Sequence, residues 1–390
     1  MVMCQELTGY LEAIYNQFAD GIAPSGKEDL IAEVLEENGK HMEEKLTDFP
    51  KVVSLTVTNR CNLRCRMCAQ WSEEGYMLKG KPNDSYSGNV VRYEDLLKVV
   101  DEVHEYGVPL IIRGGEPLLY PHIMELLTYI KAKGVSLSLE TNAVLLKKYA
   151  ELLVKLRIDS MIISVDGPEE VHDHVRGVKG TFARLREGLQ ELEKHAQEYG
   201  YKIPIGITCT LSGDNYQALG AMPDVVRSLG LGVICIVPYY YFPEEQGLAY
   251  EKLMREEFNC EAYSWRGFHH EGSGVDVDLF LAQLEEFKSK LGELQSYPYM
   301  AFTDDEYREW YSRSDTTIHQ ARCNNIWGLL DVQPDGNVNF CVDFPDYAIG
   351  NVAENTLHQL WHSDRARKFR ELRTNMEMPV CTRCGAKYMG

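Results

Sequence analysis

Three cysteines on one short loop restrict this chain more than any other feature of its sequence. A β-rich run, Val52 to Thr58, ends in Asn59 and Arg60, and Cys61, Cys65 and Cys68 follow at Cys-x3-Cys-x2-Cys spacing. Thiolates are soft ligands, and three on one loop suit an iron–sulfur cluster. In a four-iron cubane, three protein ligands leave one iron open for a substrate or cofactor. Two other uses of the spacing stand beside this one. Positions i, i+4 and i+7 share a helix face, and cysteine is a common buried residue. The flanking Arg60, Asn62, Arg64 and Arg66, however, do not make an amphipathic core helix. A zinc site would need a fourth ligand.

The eleven cysteines of the 390-residue chain are not scattered. Besides Cys4, Cys209, Cys235 and Cys260, three sit early and four sit late: Cys323, Cys341, Cys381 and Cys384. In a long chain this pattern points to metal or redox chemistry at two places rather than to disulfides. The net charge of −19 argues against nucleic acid or an anionic membrane as the main partner. No apolar run reaches the ~18–20 residues needed to cross a bilayer. The N-terminus shows no basic segment followed by an apolar one, so a cytoplasmic location is expected.

Residues 1–50 are expected to form a helical cap, with Leu7, Leu11, Ile14, Tyr15 and Phe18 on one stripe. From 51 to 241 strand and helix patterns alternate. Apolar strands are expected at Val52–Thr58, Pro109–Arg113, Val135–Glu140, Ser160–Val165, Ile203–Leu211 and Gly232–Val237. Six strand–helix units imply a parallel sheet covered on both faces, with chemistry at the strands' carboxyl ends. Residues 242–320 break the alternation and read as a bridge beside the barrel mouth, with a helix over Asp278–Leu291. Residues 321–390 carry the late cysteines. There, Gln333 to Val338 reads as a turn into a hairpin strand. On spacing alone, four thiolates with a Cys381-x2-Cys384 pair suit zinc or a cluster equally well.

The loop Asn59-Arg60-Cys61-Asn62-Leu63-Arg64-Cys65-Arg66-Met67-Cys68 resembles the signature of the radical S-adenosylmethionine (radical SAM) enzymes. The resemblance implies a partial (β/α)6 TIM-type barrel. It also implies a SAM-binding [4Fe–4S] cluster on Cys61, Cys65 and Cys68, and reductive cleavage of SAM to a 5′-deoxyadenosyl radical that abstracts a substrate hydrogen atom. Met67 matches the residue whose backbone reads the adenine. Gly114, Gly115 and Glu116 match the Gly-Gly-Glu motif that contacts the SAM amino group; read alone, they are ordinary turn chemistry. Asn142, Ser164 and Asp166 match polar residues that hold SAM's ribose and methionine ends. Arg176 matches an arginine that pairs with the SAM carboxylate. For Asn142, Ser164, Asp166 and Arg176 the alternative is a plain surface turn.

Cys323 to Cys384, with Gly336-x4-Cys341, Gly350-Asn351-Val352 and Leu360-Trp361-His362-Ser363, resembles a SPASM/twitch domain, a small α+β unit. SPASM domains continue into further cysteines. The four late cysteines suffice for one fully ligated auxiliary [4Fe–4S] cluster, the twitch arrangement. Such a cluster can take the electron left on a substrate radical.

Cys209 and Cys235 lie in strands and read as buried structural residues. Cys235 is also a candidate hydrogen-atom donor of the kind used by radical SAM epimerases. Tyr239 and His269 are candidates to line a substrate pocket, as are Tyr240, Tyr241 and His270; a packed aromatic patch is the alternative.

The expected function is therefore radical SAM oxidation of a small molecule such as a sugar or cyclitol, with a donor such as flavodoxin or ferredoxin. The alternatives are a peptide-modifying maturase or epimerase, and a non-catalytic iron–sulfur electron carrier. The N-terminal 50 residues look too short and too helical for a leader-peptide-binding domain.

Overall fold

The structure is a computed structural model that describes residues 46–72, 75–77, 90–298, 302–318 and 323–385. The expected N-terminal helical stripe lies outside these residues. All ten described strands join one sheet in the order β10-β9-β8-β1-β2-β3-β4-β5-β6-β7. β1 (Val52–Thr56), β2 (Leu110–Arg113), β3 (Leu137–Thr141), β4 (Ser160–Ser164), β5 (Ile205–Leu211), β6 (Val233–Pro238) and β7 (Gln295–Pro298) run parallel and in sequence order. Helices fill the crossovers, as a parallel sheet requires. The six expected strands are present within a few residues of their expected bounds.

The sheet continues at both edges. β7, a short Gln-Ser-Tyr-Pro segment inside the expected bridge, pairs parallel with β6. Its lack of an apolar run hid it from pattern reading. On the other side, β8 (Leu329–Val332) pairs parallel with β1. β9 (Asn337–Asn339) and β10 (Gly350–Asn351) then follow antiparallel. The segment with the late cysteines thus shares its sheet with the barrel. β1 has neighbours on both sides and is buried at all five residues.

One continuous apolar core runs from Val53, Leu55 and Ile112 through Trp265 and Trp310 to Phe340, Trp361 and Phe369. The late segment is also pinned by polar contacts. Glu102, on the Tyr93–Tyr106 helix, accepts from the Leu357 and His358 amides at 2.7 Å each, satisfying the start of the Leu357–Trp361 helix. Arg370 donates to the Ile326 and Trp361 carbonyls at 2.8 Å each and stacks 4.1 Å from the Trp361 ring.

The bridge is more ordered than its sequence suggested. A Glu244–Phe258 helix leads to a tight Ser264–Phe268 turn, whose Trp265 is fully buried. A Cβ on Gly247 would come 2.0 Å from the Trp265 ring. Alanine usually stabilises a helix relative to glycine by about 1 kcal/mol. Here, overpacking at about 1–3 kcal/mol outweighs that gain. Gly247→Ala is expected to lower the urea midpoint, and a higher midpoint would refute the close contact.

Candidate active site

The cysteine loop is fixed on three sides. On the first, the Gly115 amide donates to Thr58 O at 2.7 Å and the Glu116 amide to Arg60 O at 2.8 Å. A Cβ on Gly114 would lie 2.6 Å from Thr58 O, and one on Gly115 2.5 Å from Arg60 O. Glycine is needed here because one backbone presses on another. On the second side, the Arg64 amide donates to Arg176 O at 3.3 Å and the Arg66 amide to Val175 O at 2.9 Å. Gly177, at φ +70°, ends the Glu169–Arg176 helix directly against Arg64 O. On the third, Gly267 packs against Ala69 O, while Trp71 Nε1 reaches back to Asn59 O at 2.8 Å.

The three sulfurs interact electrostatically with one another. Cys65 is buried; Cys61, Met67 and Cys68 are partly exposed. Burial pushes the Cys61 thiol up to about 11 and the Cys68 thiol up to about 12.

The polar residues expected to contact SAM are tied into this loop. Glu116 is fully buried, and its carboxylate accepts from Leu118 N at 3.1 Å, Thr141 Oγ1 at 2.8 Å and Asn142 N at 2.9 Å. Burial, offset by these bonds, raises its pKa to about 7. Asn142 Nδ2 donates to Asn62 Oδ1 at 2.8 Å and lies 3.9 Å from Cys61 Sγ. Asp166 Oδ2 meets Arg176 Nη2 at 2.5 Å, while its Oδ1 accepts from Thr210 N at 3.0 Å. Arg176 Nη1 donates to Cys65 Sγ at 3.7 Å. The Arg176 guanidinium, expected to pair with the SAM carboxylate, is thus already engaged by Asp166 and Cys65. Ser164 is half-buried at the end of β4, in register with Thr208.

Along the sheet, partly exposed residues recur at alternate positions: Arg113 on β2, Glu140 on β3, Ser164 on β4, Thr208 and Thr210 on β5, and Cys235 and Val237 on β6. This period-two pattern marks one wetter, concave face. Arg113 meets Glu140 at 3.5 Å on this face. Asp331 of β8 and Asp343 join them electrostatically. Asp331 is fully buried and accepts from Thr56 Oγ1 at 3.3 Å and from Gln333 Nε2. Asn339, its cross-strand neighbour, is buried with no hydrogen-bond partner at either amide atom. Asp343 is pushed up to about 6 by burial, with Arg113 opposing.

Cys235 is half-buried, and burial raises its thiol to about 12. Tyr239 donates to Gly267 O at 3.2 Å, and burial holds its phenol well above the usual range. The His270 ring packs edge-on against Tyr239 at 5.6 Å. The His269 ring lies 3.2 Å from Glu271 and packs edge-on against Trp265. Asp331 and Asn339 were missed, although a lone aspartate in the apolar Leu329–Val332 strand was a usable signal.

Cys341, Cys381, Cys384 and Cys323 interact electrostatically as a second set, with Arg373 beside them. The Pro379–Arg383 turn presents Cys381 and leads into Cys384, whose amide donates to Cys381 O at 3.2 Å.

The radical SAM superfamily pattern matches residues 55–217, and that of an iron–sulfur cluster-binding domain, SPASM, matches residues 323–385. The chain belongs to the radical SAM superfamily, in its SPASM-containing subgroup. Fe-coproporphyrin III synthase of Methanosarcina barkeri is 25% identical over 339 residues, covering 82% of this chain and 76% of its own. AlbA of Bacillus subtilis, an antilisterial bacteriocin subtilosin biosynthesis protein, is 25% identical over 358 residues, 88% and 68% of the two chains. Streptococcus suis SuiB, solved with its precursor peptide SuiA, has the same fold, with a TM-score of 0.59 at 16% identity over 95% of this chain and 78% of its own.

The donor sets suit the cofactors of this radical SAM subgroup: SAM with its [4Fe–4S] cluster, and an auxiliary iron–sulfur cluster. A cluster held by three thiols would keep one iron position open, and one held by four thiols would be closed. Iron needs thiolates, so a cluster loading on this loop would displace the protons that burial holds on Cys61 and Cys68. At limiting iron, iron and sulfide per chain are expected to rise between about pH 7 and about pH 9. A flat profile would show the thiols already ionised.

Proposed function

We propose that this radical SAM enzyme abstracts a hydrogen atom from a polar, hydroxyl- or amine-bearing substrate held on the concave face, and that the net result is a two-electron oxidation. What carries this reading is the link between the two cysteine sets. β1, which leads into the Cys61–Cys68 loop, pairs with β8, and β9, which leads towards Cys341, pairs with β8 in turn, so both sets hang on one sheet. When bound, the cofactors supply a 5′-deoxyadenosyl radical at the first set and an electron acceptor at the second. Cys61, Cys65 and Cys68 would hold the first cluster, and Cys323, Cys341, Cys381 and Cys384 the second. Gly114, Gly115, Glu116, Asn142 and the Met67 backbone would border SAM.

Arg113 and Glu140 orient substrate in this scheme, and the Ser164, Thr208 and Thr210 hydroxyls offer further hydrogen bonds. Carboxylates predominate around Arg113, which disfavours a polycarboxylate such as the porphyrin in the name of the Methanosarcina relative. A peptide remains a fitting substrate, as AlbA and SuiB suggest, provided the reacting residue is neutral or cationic. A cytoplasmic location, a flavodoxin- or ferredoxin-type donor, and a division into barrel (51–241), bridge (242–320) and second-cluster segment (321–390) belong to the same proposal. Among the described residues, no helix is long and apolar enough to cross a membrane.

Anaerobic reconstitution should give about eight irons per chain, and about four in the Cys61/Cys65/Cys68→Ala variant. With SAM and dithionite, only the wild type should form 5′-deoxyadenosine. Amines, polyols or lysine-containing peptides should raise that rate; stimulation by a polycarboxylate alone would overturn the substrate reading.

A second reading, epimerisation, is favoured by one observation: Cys235 is partly exposed on the concave face, in register with Thr208 and Tyr297. Under the oxidation reading, Cys235→Ala retains product formation once a substrate is found. Loss of product with 5′-deoxyadenosine formation intact would favour the thiol as hydrogen donor.

A further inference from the structure

We infer that Arg176 and Asp166 form a positioning pair for the cluster ligand Cys65, with the guanidinium holding the Cys65 sulfur and the carboxylate holding the guanidinium. The inference rests on the reading of Cys65 as a cluster ligand.

The geometry forms a chain of contacts that starts deep in the barrel. Thr210 N on β5 donates to Asp166 Oδ1 at 3.0 Å. Asn215 Nδ2 donates to Asp166 O at 3.0 Å and to Thr210 O at 2.9 Å, locking the ends of β4 and β5 together. Asp166 Oδ2 meets Arg176 Nη2 at 2.5 Å, and Arg176 Nη1 reaches Cys65 Sγ at 3.7 Å. The Asp166 side chain has no solvent exposure and that of Arg176 only 9%. The helix that carries Arg176 is itself anchored: Asp173 accepts from Thr181 Oγ1 at 2.6 Å and Phe182 N at 2.9 Å. The same helix end binds the cysteine loop through the Arg64 and Arg66 amides. Backbone and side chain therefore reach the middle of the loop from one direction.

The chemical consequence follows from charge. A cation that donates an N–H to a ligating sulfur withdraws negative charge from it, which favours the reduced cluster. A buried guanidinium is costly without a counter-charge, and Asp166 supplies one. Asp166 fixes the direction of the fork, which arginine can use at two sites and lysine cannot.

Arg176→Gln, Arg176→Lys and Asp166→Asn test the pair in reconstituted, full-length protein. Three quantities are read: iron per chain, the reduced fraction of the first cluster by electron paramagnetic resonance at fixed reductant potential, and SAM affinity by equilibrium dialysis. The second cluster serves as the internal control. In Arg176→Gln, the reduced-to-oxidised ratio of the first cluster is expected to fall about tenfold, equivalent to about 59 mV for one electron. SAM affinity should stay within about twofold. Arg176→Lys should recover part of the ratio, and Asp166→Asn should lower it without removing the arginine. Loss of the first cluster alone in Arg176→Gln, with about four irons left and the second cluster's signal intact, would also support an anchor for Cys65. An unchanged ratio with full iron would overturn the inference. So would a tenfold loss of SAM affinity with the ratio unchanged, because Arg176 would then be a SAM ligand. Iron loading that is insensitive to Cys65→Ala would instead refute the ligand reading itself.

Discussion

The backbone hydrogen bonds made just after β1 decide where three sulfur atoms can sit. A loop of this kind carries few apolar residues and no regular ladder, so it has little stability of its own. Here its amides and carbonyls are claimed by neighbours on opposite sides: Gly115 and Glu116 bond Thr58 and Arg60, while Arg176 and Val175 bond Arg64 and Arg66. Gly115 and Gly177 allow these approaches because neither has a side chain to block a carbonyl. The cysteines between the two clamps then have little freedom left.

Charge burial beneath the loop is extensive and almost fully compensated. Isolated buried carboxylates and guanidinium groups are costly, and they persist where donors and counter-charges surround them. Glu116 has three donors, Asp166 has an amide and an arginine, and Asp331 has a threonine and a glutamine. Each of these networks joins strands that are distant in sequence. Thr56 with Asp331 ties β1 to β8, and Thr210 with Asp166 ties β5 to the end of β4. The polar interior is therefore part of what aligns the sheet, as well as what a substrate would meet. Asn339 stands out, because its amide is buried beside Asp331 without a partner.

The second cysteine set owes its position to sheet continuity. β8 lies against β1, and β9 returns beside β8. Cys341 follows that return strand directly, so its place is set by hydrogen bonds to the barrel. Glu102 at the Leu357–Trp361 helix and the Arg370 contacts brace the rest of the segment. Two sites far apart in sequence thus share one scaffold, and electron transfer between bound clusters would depend on that fixed geometry.

Much of this was legible in the sequence because it depends on local chemistry. Cysteine spacing, six apolar strands, glycine-terminated helices and the Gly114–Gly115 turn are properties of short segments, and short segments carry their own signals. β7 was not legible, since a polar four-residue strand is recruited by the exposed edge of β6 rather than by its own composition. Nor was the engagement of Arg176 with Cys65, the packing of the His270 ring on Tyr239, or the meeting of Asp331 and Asp343 around Arg113. Those depend on which segments the sheet brings together, a long-range outcome that no local pattern encodes. The sequence by itself determined where the two cysteine sets lie and which class of fold this chain has. Only the tertiary structure decided which charges face one another, because the energy of a buried charge is set by neighbours that the chain order does not name.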